Sequence, residues 1–372
     1  MDLLNGTKMV AGYTLGVEPS AREHLVVVVK GTFDFPANGG EPTLAEEQAT
    51  FVYADTFTGK PGFSAPLDEC DFAFRKPRCD VLVNGAAYAP DGKPTTRVTV
   101  GLKVGPMRKV FDVVGDRAWS ALPLRIAPEP PRPFVRMPIT YDRAFGGLDE
   151  FSADKSRHSA YMQNPVGRGY HRQLDIAFVD GTPAPNTEER DNPVGKPDGA
   201  YRPMALGPVG RGWQPRLGFA GTYDQGWLDN VFPFLPADFR EDYYQAAPAD
   251  QQIPYPQGGE DVVLVNLTPE GRAGFRLPVV DLPVVFVPAK GEREERQAVI
   301  DAVVIEPDRR RLILVWRASR PLRRNIFEMA QVVAGRMPRA WWRARDLGKT
   351  YYRSLGEMAR AKRAERDEEE AA

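Results

Sequence analysis

The chain has 372 residues, 49 Lys plus Arg against 50 Asp plus Glu, and a formal net charge of -1, which gives no bulk electrostatic pull toward nucleic acid. Hydrophobic residues at 42% and charged residues at 27% exclude a disordered chain, and the length suits one large domain or two ordinary ones. The start lacks a basic stretch leading into a long apolar core, and runs such as Leu25–Val29 are too short for a membrane span, so a cytoplasmic protein is expected.

The first zone, roughly residues 20–145, reads as strands. His24–Lys30 is a continuous apolar run, the pattern of a strand buried on both faces. Cys79–Ala89, Thr95–Val104 and Met107–Val114 follow as a meander. Val98, Val100, Leu102 and Val104 alternate with polar or small residues, which puts one face in the core. Pro90-Asp91-Gly92-Lys93 and Gly105-Pro106 supply the turns. Cys70 and Cys79 offer neither a disulfide framework nor a zinc ligand set, and read as two reduced thiols.

Residues 123–260 form a long irregular zone. Tyr161–Ala220 holds 8 Pro and 9 Gly, near the level of low-complexity sequence. It also holds Tyr161, Tyr170, Phe178, Tyr201, Trp213 and Phe219, rings that bury large areas, so an ordered loop region packed on aromatic anchors is expected. Asn164-Pro165-Val166-Gly167-Arg168-Gly169-Tyr170 is echoed by Asn192-Pro193-Val194-Gly195-Lys196 and by Gly207-Pro208-Val209-Gly210-Arg211-Gly212-Trp213. The unequal spacing excludes a solenoid and points to one turn chemistry used three times: Pro fixes φ, Gly takes positive φ, and the aromatic packs the loop down.

Strands return over Asp261–Ser319: Val262–Asn266, Ala273–Leu277 and Pro283–Val287, then Gln297–Ile305 and Arg311–Trp316 as a hairpin around Glu306-Pro307-Asp308-Arg309-Arg310. The tail differs in kind. Between Arg336 and Arg366 ten basic residues face three acidic ones, and apolar positions recur at three-to-four spacing. One helix over about 340–366, with Pro338 at its start, is predicted, ending in the acidic run Asp367–Glu370.

Chemistry is sparse. Of His24, His158 and His171, none accompanies a nucleophile signature; His171 with Asp175 is at most an orienting pair. Asp142, Asp149 and Glu150 flank Ala144-Phe145-Gly146-Gly147, and Asp224 and Asp229 flank Gly226-Trp227. Aromatic loops bearing acids fit a glycosidase cleft, but acids beside glycines more often serve turns and caps. Metal-ligand spacing and a Walker loop are absent from the sequence, and no cofactor is expected. The basic tail helix with Trp341 and Trp342 could dock on a partner or pack its stripe on its own domain.

Taken in order, several blocks resemble the DUF2169 family. They are Leu3-Leu4-Asn5 with Ala11–Gly16, Glu23–Leu25 through Val29–Phe33, Lys76–Val81, Pro138–Gly147, Asn164–Gly169, Gly207–Arg216, Gly221–Asp224, Phe232–Asp238, Ala247–Gln252 and Val315–Arg317. The likeness runs from about residue 2 to residue 320. It implies an adaptor or chaperone of the bacterial type VI secretion system, one that holds an effector and helps load it on a spike with PAAR or VgrG components. No catalytic or contact motif comes with it.

The resulting expectation is a mainly β protein: antiparallel, sandwich-like sheets over 1–320 with the irregular aromatic region at about 123–260, then a helical basic tail over 321–372. It is expected to act by binding an effector and spike components, without enzymatic activity, nucleic acid, membrane span or small-molecule cofactor. Candidate contacts are Trp213, Tyr223, Trp227, Trp341 and Trp342, since large aromatic side chains dominate interface energetics. The competing expectation is a carbohydrate- or peptidoglycan-acting hydrolase using paired carboxylates of the loop region.

Overall fold

A computed structural model describes residues 1–36, 39–123 and 125–371, the side chains of 365–371 excepted. Met1–Ala334 forms one compact unit and Gly335–Ala372 another. In chain order the main strands are β1 (Asp2–Asn5), β2 (Val10–Val17), β3 (Glu23–Asp34), β4 (Cys79–Val83), β5 (Arg97–Val104), β6 (Met107–Val114), β7 (Asp261–Val265), β8 (Arg272–Arg276), β9 (Pro283–Pro288), β10 (Glu294–Gln297), β11 (Val299–Glu306), β12 (Arg311–Pro321) and β13 (Met329–Ala334). The protein is mainly β, built on several largely antiparallel sheets.

The largest sheet runs from the short strand Gln252–Ile253 through β4, β11, β12 and β3 to β2. Its centre is the long β3, in which Leu25–Val29 are all buried. Alternate residues serve two cores: Leu25, Val27 and Val29 join the main one, while Val26 and Val28 pack with Phe51, Phe74, Ile313 and Val315 on the other face. That explains a continuous apolar run where alternation would mark a half-exposed strand. The β11–β12 hairpin forms as its sequence predicts, closed by Arg310 in the left-handed region at φ 48°.

β5, β6, β7 and β8 form the second sheet, with Thr187–Glu188 at its edge. β5 and β6 are the expected hairpin, but Cys79–Ala89 does not continue it as a meander. β4 stops at Val83 and pairs in parallel with β11; Ala86–Tyr88 pairs with Arg136–Pro138 instead. The break falls at Asn84-Gly85, where Asn84 N–H donates to the Ile305 carbonyl and Gly85 packs on Pro307. A third sheet, in the order β1, β13, β9 and β10, holds three strands that no sequence pattern announces, β1, β13 and β10.

The edge of β3 is finished by a side chain. Beyond Lys30, the last residue paired to β2, the Gln48 amide accepts from Thr32 N–H at 2.8 Å and donates to the Thr32 carbonyl at 3.0 Å. Thr43–Leu44 then pairs with Phe33 and Asp34. Gln48 thereby does for Thr32 what a neighbouring backbone would do.

In the second unit the single predicted helix is two: α2 (Arg339–Asp346) and α3 (Leu355–Ala371), numbered after a short helix α1 (Gln225–Asn230). Gly348 at φ 63° closes α2 in a Schellman arrangement, with Gly348 N–H on the Arg345 carbonyl and Lys349 N–H on the Ala344 carbonyl. Ser354 then caps α3, its hydroxyl accepting from Glu357 N–H. Apolar spacing alone carried the prediction across this stop because the period resumes in phase on the far side.

Candidate functional site

The irregular zone is ordered by side chains that bond backbone. Asn164 is fully buried, and its amide donates to the carbonyls of Tyr141 at 2.9 Å and Phe145 at 3.1 Å. This seats the Asn164–Tyr170 loop against Tyr141–Gly147, and Phe145–Gly146 pairs in parallel with Arg168–Gly169. The three related turns are not one device, as the sequence suggested. Gly169 alone among their glycines has positive φ, at 89°. At Gly210 close approach decides instead, since a Cβ there would lie 2.5 Å from the Trp213 ring. Phe145, Tyr161, Tyr170 and Tyr201 meet edge-on as the expected aromatic anchor, whereas Phe178 is exposed and anchors nothing in the core.

Asp80 joins this zone to the large sheet. It is wholly buried and accepts from Lys76 Nζ (2.8 Å), Gln245 Nε2 (2.6 Å), Ala246 N–H (2.8 Å) and Ala247 N–H (3.0 Å). Two of its donors are charged or side-chain groups and two are backbone, so its lone pairs are fully used. Gln251 performs a similar task nearby: its amide donates to the carbonyls of Val81 and Leu206, and its oxygen accepts from Lys109 Nζ at 2.7 Å.

These anchors wall a cleft of about 440 Å³. Met204, Val209, Pro215 and Phe219 supply its apolar lining; Lys109, Arg202, Asp242 and Asp250 supply charge. Lys109 is buried, and desolvation holds its pKa below the ordinary lysine value despite Asp250 at 3.1 Å. Arg216, also buried, ties the rim by donating to the carbonyls of Tyr243 (2.9 Å) and Val209 (2.7 Å) and to Glu69.

Past Phe219 the chain leaves the cleft and presents rings to solvent. Tyr223 and Trp227 meet edge-to-face with centroids 4.8 Å apart, and Trp227 meets Phe232 at 5.6 Å. Asp224 caps α1 by accepting from Trp227 N–H, and Trp227 Nε1–H donates to the Phe234 carbonyl at 2.9 Å. The rings are therefore held in place, yet Tyr223 is 52% exposed, Leu228 52%, Phe232 62% and Phe234 46%. Exposed apolar side chains on an ordered support make this a candidate binding surface.

Of the candidate contacts, Tyr223 and Trp227 lie together at this surface. Trp213 does not: at 7% exposure it sits edge-on to Tyr141 in the core, because its loop folds it back over Gly210. Trp341 and Trp342 lie on α2 in the separate unit, ring against ring at 4.8 Å. Phe232, Phe234 and Leu228 were missed by a reading centred on Trp and Tyr. Their signal is a run of apolar residues without the partner spacing of a strand or long helix.

Of the candidate acids, Asp142, Asp149, Asp224 and Asp229 accept hydrogen bonds from the protein itself. Asp142 accepts from Ala65 N–H and Thr58 Oγ1; Asp149 accepts from Arg172 and Gln173 N–H; Asp229 accepts from Gln225. His171 contacts Thr182 Oγ1 at 3.1 Å rather than Asp175, which caps a turn of helix. Among the described residues no group of three or more His, Cys, Asp or Glu could hold a metal, and no helix is long and apolar enough to cross a membrane.

A family model described as an uncharacterized protein conserved in bacteria (DUF2169) matches residues 20–317. No curated protein and no solved structure gives a significant match.

Proposed function

This chain belongs to the DUF2169 family, and from that premise we propose that it is an adaptor-chaperone that binds a type VI secretion effector and assists its loading onto a PAAR- or VgrG-type spike. The observation that carries the binding role is the exposed Tyr223, Phe232 and Phe234 gathered around the half-buried Trp227 on a well-bonded support. A chaperone must cover apolar surface on its client, and ordered rings do so at low entropic cost. The charged, apolar-lined cleft beside Phe219 would take an adjoining client segment. The type VI assignment is an inference from family likeness.

Binding is favoured over hydrolysis because Asp142, Asp149 and Asp224 accept hydrogen bonds from amides and hydroxyls of the protein itself, Asp142 and Asp149 from distant segments and Asp224 within its own helix cap. The protein works in the cytosol on this reading and carries no cofactor. The test is co-expression with a type VI effector from the same bacterium, followed by affinity capture and a secretion assay. A stable complex, and loss of effector when this gene is deleted, is the expected result. An effector equally abundant and equally secreted without the protein would overturn the proposal.

A further inference from the structure

Among the described residues, most sheet edges are short or charged. β8 carries Arg272 and Arg276 at its ends, and β10 reads Glu294-Glu295-Arg296-Gln297. The opposite end of the large sheet is only Gln252–Ile253. Short or charged edges of this kind resist pairing with another chain. β2 has eight residues, Val-Ala-Gly-Tyr-Thr-Leu-Gly-Val, with no charge and no proline, and among the described residues it pairs on one side only, with β3.

The phase of its free side can be read from the ladder. Glu18 N–H donates to the Arg22 carbonyl, one step beyond the pair Val17–Glu23. Bonded pairs alternate in an antiparallel ladder, so Val10, Gly12, Thr14 and Gly16 bond to β3. Ala11, Tyr13, Leu15 and Val17 therefore turn their N–H and C=O groups outward. Tyr13 (42% exposed) and Leu15 (43%) also carry exposed apolar side chains. The other face is shielded within the chain, with Phe51 over Gly12 and Phe74 over Gly16.

We propose that β2 is a homodimer interface in which two copies pair antiparallel about Thr14, joining their large sheets into one. That register sets Tyr13 opposite Leu15 of the second copy, Ala11 opposite Val17, and Gly12 opposite Gly16. All four outward-facing residues then meet outward-facing residues and exchange both bonds. Each exposed Tyr13 is covered by a Leu15, a favourable aromatic–aliphatic cross-strand pair. The strand brings no charge to oppose its own image. This self-complementarity selects a second copy as the occupant, and it is independent of the effector-binding reading.

The experiment is sedimentation of the full chain at tens of micromolar, with two variants at the axis. The wild type is expected at twice its 41.4 kDa mass. Thr14→Lys places two ammonium groups directly opposite each other and should return a monomer with unchanged far-UV circular dichroism. Thr14→Cys, in a Cys70→Ser background, should form an intermolecular disulfide under mild oxidation. Residues facing each other in a non-bonded pair lie about 4.5 Å apart, within disulfide reach. Val279→Cys, at a site 77% exposed, should not cross-link. A wild-type monomer overturns the proposal. So does a dimer that neither yields to Thr14→Lys nor cross-links through Thr14→Cys, and the cross-link decides the matter if the lysine variant fails to fold.

Discussion

Asp80 and Gln245 stand 165 positions apart in the chain, and Gln245 Nε2–H donates to Asp80 Oδ1 at 2.6 Å with both side chains buried. The contact fastens the loop that walls the cleft to the second strand of the large sheet. Asp80→Asn should cost about 3–5 kcal/mol, because it leaves the buried Lys76 ammonium without its counter-charge. Urea unfolding would measure this. Replacing Lys76 as well should not restore stability, since the Ala246 and Ala247 amides donate to different Asp80 oxygens and an asparagine side chain keeps only one acceptor oxygen.

Gly146 and Gly195 make a matched pair of tests. At Gly146, φ is 150° and a Cβ would lie 2.1 Å from the Asn164 carbonyl oxygen. Gly146→Ala should therefore destabilise by roughly 3 kcal/mol or more, the range for overpacking plus backbone strain. Nothing lies within 4 Å of a Cβ at Gly195, and its φ is not positive. Gly195→Ala should leave the thermal midpoint nearly unchanged, although Gly195 lies in a turn that resembles the Asn164–Gly167 turn against which Gly146 packs.

The two central tryptophans should separate stability from binding. Trp213→Ala empties a core site and should cost about 3–5 kcal/mol. Trp227→Ala, combined with Tyr223→Ala, should cost little stability but weaken effector capture by about thirtyfold or more, as expected when hot-spot rings are removed. Calorimetry on the purified variants and titration with the effector would read the two effects independently. Trp227→Ala binding as tightly as the wild type would move the client site elsewhere.

Acid should weaken the fold through histidine. Burial holds His171 below the ordinary value of 6.5, against an opposing pull from Asp149; burial also lowers His24, which stands edge-on to Phe74. The unfolded chain then binds more protons than the folded one just below pH 6.5. Stability is fully present above that pH and falls as pH drops from 6.5 toward the folded values. Urea midpoints between about pH 7 and 5 should decline, and His171→Asn should flatten part of that slope.

Much of the strand content was legible because hydrophobic runs and turn chemistry agree. β3, the β5–β6 hairpin and the β11–β12 hairpin all stand where Leu25–Val29, Gly105 and the 306–310 turn place them. β2 was not legible, because Gly12 and Gly16 hide its alternation. Their missing side chains are supplied by Phe51 and Phe74 from a distant loop. The division of strands among sheets also escaped sequence reading, since β4 finds β11 more than 200 residues later in parallel. At the candidate surface, ring chemistry pointed to Tyr223 and Trp227. Burial of Trp213 depended on a loop closure that composition does not encode. The buried roles of Asp80, Lys109 and Gln251 rest wholly on long-range contacts.

Gln48, which occupies the Thr32 backbone beside the end of β2, bears on how far assembly can proceed. Gln48 and Thr43–Leu44 already fill the β3 backbone beyond Val10, so the margin past β2 offers a further chain no open pairing there. An isologous contact uses the same edge of both copies and so leaves no open end. The predicted product is a closed pair of fixed register. It should not lengthen into fibres as concentration rises.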